Sequence, residues 1–97
     1  MRRYYVYILS NRMRTTFYIG VTNNLARRIE QHRSGSGSVF TGRYNIKYLV
    51  YYEVFESIRD AIAREKQLKT WHRDWKIRLI KKYNPDMRDL SNEIPGC

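Results

Sequence analysis

Two runs decide the fold: Tyr4-Tyr5-Val6-Tyr7-Ile8-Leu9-Ser10 and Thr16-Phe17-Tyr18-Ile19-Gly20-Val21. Both are dense in β-branched and aromatic residues, the types that fit a pleated, half-buried surface. A short polar stretch, Asn11-Arg12-Met13-Arg14, separates them, so the pair reads as a hairpin. With the turn centred between Arg12 and Met13, Tyr7 is predicted opposite Tyr18 and Tyr5 opposite Gly20. Directly opposed residues on one face of an antiparallel pair have Cβ atoms about 5 Å apart. The two tyrosines are therefore expected side by side.

Outward from the hairpin, Asn23 or Asn24 can cap a helix that runs to Arg33, with Leu25 and Ile29 as its buried stripe. Ser34-Gly35-Ser36-Gly37-Ser38 ends it and reads as a flexible loop within the domain, too short for a linker. Ile46 to Phe55 is nearly continuous in apolar residues, which predicts a third strand, central and buried on both faces. Ser57 can cap a second helix from Ile58 to Thr70. Asp74 can cap a third, Trp75 to Tyr83, which must stop before Pro85 because the residue preceding a proline is pushed out of the α region. The order β-β-α-β-α-α predicts an α/β (α+β) domain over residues 1–85, with a small three-stranded antiparallel sheet flanked by helices. Residues 86–97 form a tail of little periodicity, for which partial disorder is expected.

The bulk numbers bound the function. Ninety-seven residues accommodate one core, and 42% hydrophobic with 14% aromatic residues suits a folded globule. The apolar runs are too short for a transmembrane helix, and no signal-peptide core follows Met1-Arg2-Arg3, so a cytoplasmic, membrane-free protein is expected. One cysteine, Cys97, and two histidines cannot close a Cys/His zinc site, so any metal must be a hard ion held by carboxylate, phosphate and water. Nineteen Lys and Arg against nine Asp and Glu leave a net charge of +10. A field of that sign draws polyanions, nucleic acid first and an anionic membrane surface second. Solubility alone does not need so high a charge.

Several residues break the pattern around them. Glu65 lies on the apolar stripe of its helix, with Ile58, Ala61, Ile62 and Leu68. An acid there needs a partner. An ion pair with an arginine, or a helix rotated so that Glu65 reaches the rim, accounts for it as well as a divalent metal ion does. His32 borders the stripe of the first helix, and Arg28 stands one turn before it. A satisfied, half-buried histidine is the ordinary reading; a guanidinium and an imidazole together also suit a phosphate oxygen. Arg27 and Arg33 flank the same helix, and Lys66, Lys69 and Arg73 lie on the later ones, where they can contact a phosphate backbone. Trp71 and Trp75, four residues apart, are expected to pack between helices.

These residues carry a resemblance to the GIY-YIG nuclease family. Tyr5-Val6-Tyr7 resembles the family's first element and Tyr18-Ile19-Gly20 matches the second, followed by Arg28 and His32 on the helix and by Glu65 in Ala61-Ile62-Ala63-Arg64-Glu65-Lys66. The closest likeness is to short single-domain bacterial members related to the N-terminal nuclease domain of the excision-repair nuclease, whose ending Asn84-Pro85 and Arg88-Asp89-Leu90 resemble. Tyr5 stands where the family name implies glycine, Val6 replaces isoleucine, and Val21 stands where some relatives carry lysine.

The resemblance implies a metal-dependent endonuclease that hydrolyses phosphodiester bonds in DNA, RNA not excluded, with a role in DNA repair or processing. In that reading Glu65 holds one Mg²⁺ or Mn²⁺ ion and Arg28 neutralises the phosphate. One of Tyr7 and Tyr18 takes the proton of water while the other positions it, His32 assists, and Asn84 takes the part of the family's late asparagine. One metal and one site imply nicking of a single strand by a monomer. The alternative is a non-catalytic nucleic-acid-binding domain on the same fold; a small subunit docking an acidic protein is a further rival.

Overall fold

In the computed structural model of the chain, the hairpin's first strand is the middle of the sheet. β1 (Tyr4–Ser10) pairs antiparallel with β2 (Phe17–Thr22) on one side and with β3 (Tyr48–Phe55) on the other, giving the order β2-β1-β3. The structure describes residues 2–35 and 39–94, with the backbone alone at Val39 and Phe40; most of the Gly/Ser loop and Cys97 lie outside them. Every residue from Tyr5 to Ser10 is buried, because helices cover both faces of the strand. Val6 and Ile8 pack with Ala61 and Leu68 of α3 (Ile58–Thr70) and Ile80 of α4 (Arg73–Tyr83). Tyr5, Tyr7 and Leu9 point the other way, onto Leu25 and Ile29 of α1 (Leu25–Arg33). Full burial of each such aliphatic side chain stabilises by about 1.5–3 kcal/mol. A short helix, α2 (Val39–Arg43), follows α1 and is absent from the sequence-based order.

Two expectations about the sheet are corrected. The register is offset: Tyr7 faces Gly20, Tyr5 faces Thr22 and Leu9 faces Tyr18. The connection spans Asn11 to Thr16, longer than a tight turn, because the Asn11 carboxamide oxygen accepts from the backbone N–H groups of Thr15 (2.8 Å) and Thr16 (3.1 Å). Arg14 completes it in the left-handed region at φ 58°. An offset of two residues preserves the faces, so Tyr7 and Tyr18 still share one. The central strand is β1 and not β3. Only the first part of the apolar Ile46–Phe55 run is buried; beyond Tyr51 it opens to solvent, and Val54 is 50% exposed. A bulge opposite Ile8 and Leu9 puts both Val50 and Tyr51 on the α3 side, which breaks the alternation.

The outer edge of β3 is covered at its start by the segment after α4. The Asn84 amide donates to the Val50 carbonyl (2.9 Å), Leu90 N–H donates to the Leu49 carbonyl (2.7 Å), and Asp89 accepts from Leu49 N–H (3.2 Å). Residues 86–94, read from the sequence as a tail of little periodicity, thus pack on the domain: Asp89 and Leu90 meet the start of β3, and Ser91 and Ile94 lie against α1.

The helices keep their predicted caps at Asn24 and Ser57, each accepting from the third residue on, Arg27 (3.1 Å) and Asp60 (3.3 Å). α4 begins at Arg73 with His72 as N-cap, so Asp74 sits in the first turn, where its charge favours the positive end of the helix dipole. α3 is rotated from the predicted stripe: Ala61 and Leu68 are buried, whereas Ile58 and Ile62 are exposed. Trp71 and Trp75 meet edge to face at 5.9 Å, and Trp75 is exposed and not packed between helices.

Candidate active site

The β1–β2 register builds the site. Because Tyr7 pairs with Gly20, its ring lies across that residue, and a Cβ added at Gly20 would stand 2.4 Å from the Tyr7 hydroxyl oxygen and 2.5 Å from Cζ. Only glycine leaves room for the ring. Tyr18 lies diagonally on the same face, its ring 6.3 Å from that of Tyr7. Leu25 and Ile29 seat α1 against this face, and the helical repeat then delivers Arg28 and His32 to it on adjacent turns.

The four side chains interlock. The Tyr7 hydroxyl lies 3.0 Å from His32 Nε2, and Arg28 Nε donates to the same hydroxyl at 3.3 Å. Arg28 is further held by Gln31 Oε1 at 3.1 Å, and the Tyr18 hydroxyl also bonds its guanidinium. The His32 ring stands 5.2 Å from that of Tyr18. Tyr7 and His32 are each only 1% exposed, whereas Tyr18 is half-buried and reachable.

This enclosure sets the protonation states. Burial pushes the Tyr7 phenol up to about 12; hydrogen bonding from Arg28 opposes the shift, and the neighbouring Tyr18 and the negative charge of Glu65 add to it. At neutral pH Tyr7 is a phenol, ionised in roughly one molecule in 10⁵. Burial, helped by the positive charge of Arg28, lowers His32 to about 4, so the imidazole is neutral. The hydrogen bond to Tyr7 raises Arg28 above its ordinary value and keeps it charged.

Glu65 stands on α3, which packs on the opposite face of the sheet from α1. Its side chain is 20% exposed, at the rim, and pairs with Lys69 one turn later at 3.5 Å. Its charge is felt at the Tyr7 phenol. Lys69 and Lys76 line a shallow groove of about 260 Å³ with Phe17, Tyr18 and Ile19 at the outer edge of β2. Val21 packs on the α3 side, away from both tyrosines.

A model of the GIY-YIG catalytic domain matches residues 3–85. The chain belongs to the GIY-YIG family. It is 41% identical over 91 residues to the UPF0213 protein CPE1444 of Clostridium perfringens, covering 93% of this chain and 96% of that one. The UPF0213 protein SH2523 of Staphylococcus haemolyticus is 36% identical over 80 residues, 82% of this chain and 96% of its own. The solution NMR structure of the UPF0213 protein BH0048 of Bacillus halodurans superposes with a TM-score of 0.55 at 33% identity, covering 87% of this chain and 88% of that one. GIY-YIG membership points to nuclease activity and so to a nucleic-acid substrate. No helix among the described residues is long and apolar enough to cross a membrane.

Other residues singled out from the sequence lie apart from the cluster. Asn84 is buried, and its amide donates to the carbonyls of Val50 and Arg88 while its oxygen accepts from Arg88 N–H, so its hydrogen bonds are spent on the backbone. Arg33 is engaged by Asp89 (2.6 Å), Ser91 (2.8 Å) and the Lys47 carbonyl (3.2 Å). Arg27, Lys66 and Arg73 are exposed. The sequence reading missed Thr41, whose hydroxyl lies 2.9 Å from His32 Nδ1. No local pattern marks Thr41, because α2 is a single short turn after the Gly/Ser loop.

Proposed function

We propose that the protein is a divalent-metal-dependent endonuclease that hydrolyses phosphodiester bonds in DNA, nicking one strand, in repair or processing. The observation that carries this reading is the shared Tyr7 hydroxyl, bonded at once to His32 and Arg28 and within reach of the charge of Glu65.

Among the described residues no cluster of three metal-ligating side chains occurs. That fits Mg²⁺ or Mn²⁺, which take one or two carboxylates and complete their shell with substrate phosphate and water. Glu65 is a hard oxygen donor at the rim and would hold the ion, in place of its contact with Lys69. The ion, when bound, supplies positive charge to the departing oxygen.

The remaining chemistry belongs to the chain. Arg28 can turn from Tyr7 to a phosphate oxygen and neutralise charge as it develops in the transition state. That turn bares the Tyr7 oxygen to an attacking water, which the more accessible Tyr18 positions. Tyr7 need not exist as a phenolate. As its oxygen takes the proton of the water, its own proton passes to His32 Nε2, so the net base is an imidazole that is already neutral. Lys69 and Lys76 line the groove beside Tyr18 and suit the flanking phosphates of the bound strand.

A cleavage screen tests the proposal. Purified protein with Mg²⁺ or Mn²⁺ is offered single-stranded, nicked, flapped and branched DNA; nicks that vanish with a chelator are expected. Intact substrates throughout would leave a non-catalytic nucleic-acid binder as the reading.

A further inference from the structure

The hydrogen bonds around Tyr7 and His32 leave one assignment for their protons. The Tyr7 oxygen accepts from Arg28 Nε–H, and among the described residues the acceptor its own hydrogen meets is His32 Nε2 at 3.0 Å. With Tyr7 1% exposed, water cannot take that hydrogen, and among the described residues no buried side-chain nitrogen or oxygen lacks a partner. Nε2 must therefore carry the lone pair. A neutral imidazole has one N–H, so it lies on Nδ1 and points at Thr41 Oγ1, 2.9 Å away.

We infer that Thr41 is a positioning residue: by accepting from Nδ1–H it holds His32 in the tautomer whose Nε2 receives the Tyr7 proton. Thr41 is itself 1% exposed. It is brought there by α2, whose register is fixed by Ile46 N–H donating to the Thr41 carbonyl at 2.9 Å. Without the hydroxyl, Nδ1–H would be buried with no acceptor, an arrangement that buried polar groups avoid. The other tautomer would then compete. Its Nε2–H would meet the Tyr7 hydroxyl donor to donor, and the phenol proton would lose its path. The assignment stands on the free protein; its catalytic meaning rests on the nuclease reading above.

Long-range ¹H–¹⁵N correlation spectra of the histidine side chains test it directly, with His72→Gln used to assign the two rings. Wild-type His32 is expected to carry its proton on Nδ1. Thr41→Val, which keeps the shape and removes the hydroxyl, should shift population to the Nε2–H form, and Thr41→Ser should restore the wild-type pattern. An Nε2–H signal in the wild type, or an unchanged tautomer in Thr41→Val, overturns the assignment. If Thr41→Val does not fold, the wild-type and Thr41→Ser spectra still decide it. In a cleavage assay Thr41→Val should lower kcat roughly 10- to 100-fold, the usual cost of losing an orienting partner, with KM unchanged and rescue by serine. A tautomer shift without loss of kcat would separate the positioning role from the nuclease reading.

Discussion

Replacing Gly20 by alanine tests the steric core of the site. The added Cβ would meet the Tyr7 hydroxyl oxygen at 2.4 Å, Cζ at 2.5 Å and Cε1 at 3.0 Å, all well inside contact distance. Tyr7 cannot swing clear cheaply, because it is 1% exposed and bonded to both His32 and Arg28. Overpacking of a filled core costs about 1–3 kcal/mol, and losing the Tyr7–His32 bond adds about 1 kcal/mol. Gly20→Ala should thus destabilise by about 2–4 kcal/mol, read as a lowered urea midpoint at constant m. Strain must come from Tyr7 and not from the backbone, since Gly20 is not among the positive-φ residues. A double-mutant cycle with Tyr7→Leu isolates it: the cost of Gly20→Ala should fall by at least half once the tyrosine ring is gone. A cost below about 0.5 kcal/mol, or one equal with and without the ring, would refute the steric reason for glycine at this position.

Other outcomes follow from the same contacts. Folding lowers His32 from 6.5 to about 4, so between these values the unfolded chain binds a proton that the folded chain does not. Stability present above pH 6.5 should be lost as the pH falls, by about 3 kcal/mol at pH 4, and His32→Gln should flatten that limb of a urea-midpoint titration. Asn84→Ala strips three backbone hydrogen bonds from a buried position; it should cost about 2–4 kcal/mol and leave the kcat of the folded fraction unchanged, whereas a lost kcat at full stability would return Asn84 to the catalytic set. Arg64 grips Glu53 through three contacts of 2.9–3.2 Å, and Tyr51 donates to the same carboxylate. Arg64→Met should destabilise by about 1–3 kcal/mol, discounted for partial exposure, without altering cleavage.

Much of this was legible in the sequence, and the failures have physical reasons. The strands were read from β-formers and the helices from their caps, and both are local signals. The hairpin offset was not legible, because the Asn11 carboxamide lengthens the connection by bonds that composition does not reveal. The shared face of Tyr7 and Tyr18 survived only because the offset is even. Strand order is not legible either: the tyrosines of β3 look like core residues, yet Tyr52 is half-buried and the strand forms the edge. Arg28 and His32 came together as the helical spacing implies, and Glu65 reached the rim through a rotation of α3 that its stripe did not encode. Thr41 was out of reach of any local pattern. Its only signature is a contact across α2 to a histidine buried beneath it.

The central claim is that Glu65 serves chemistry and not affinity. Measuring DNA binding and metal-dependent nicking in the same samples, for wild type and Glu65→Ala, tests it most directly. Salt-sensitive binding that is unchanged in the variant, with nicking abolished, is the predicted result. Undiminished nicking by Glu65→Ala, or binding that fails along with cleavage in a folded variant, would contradict it.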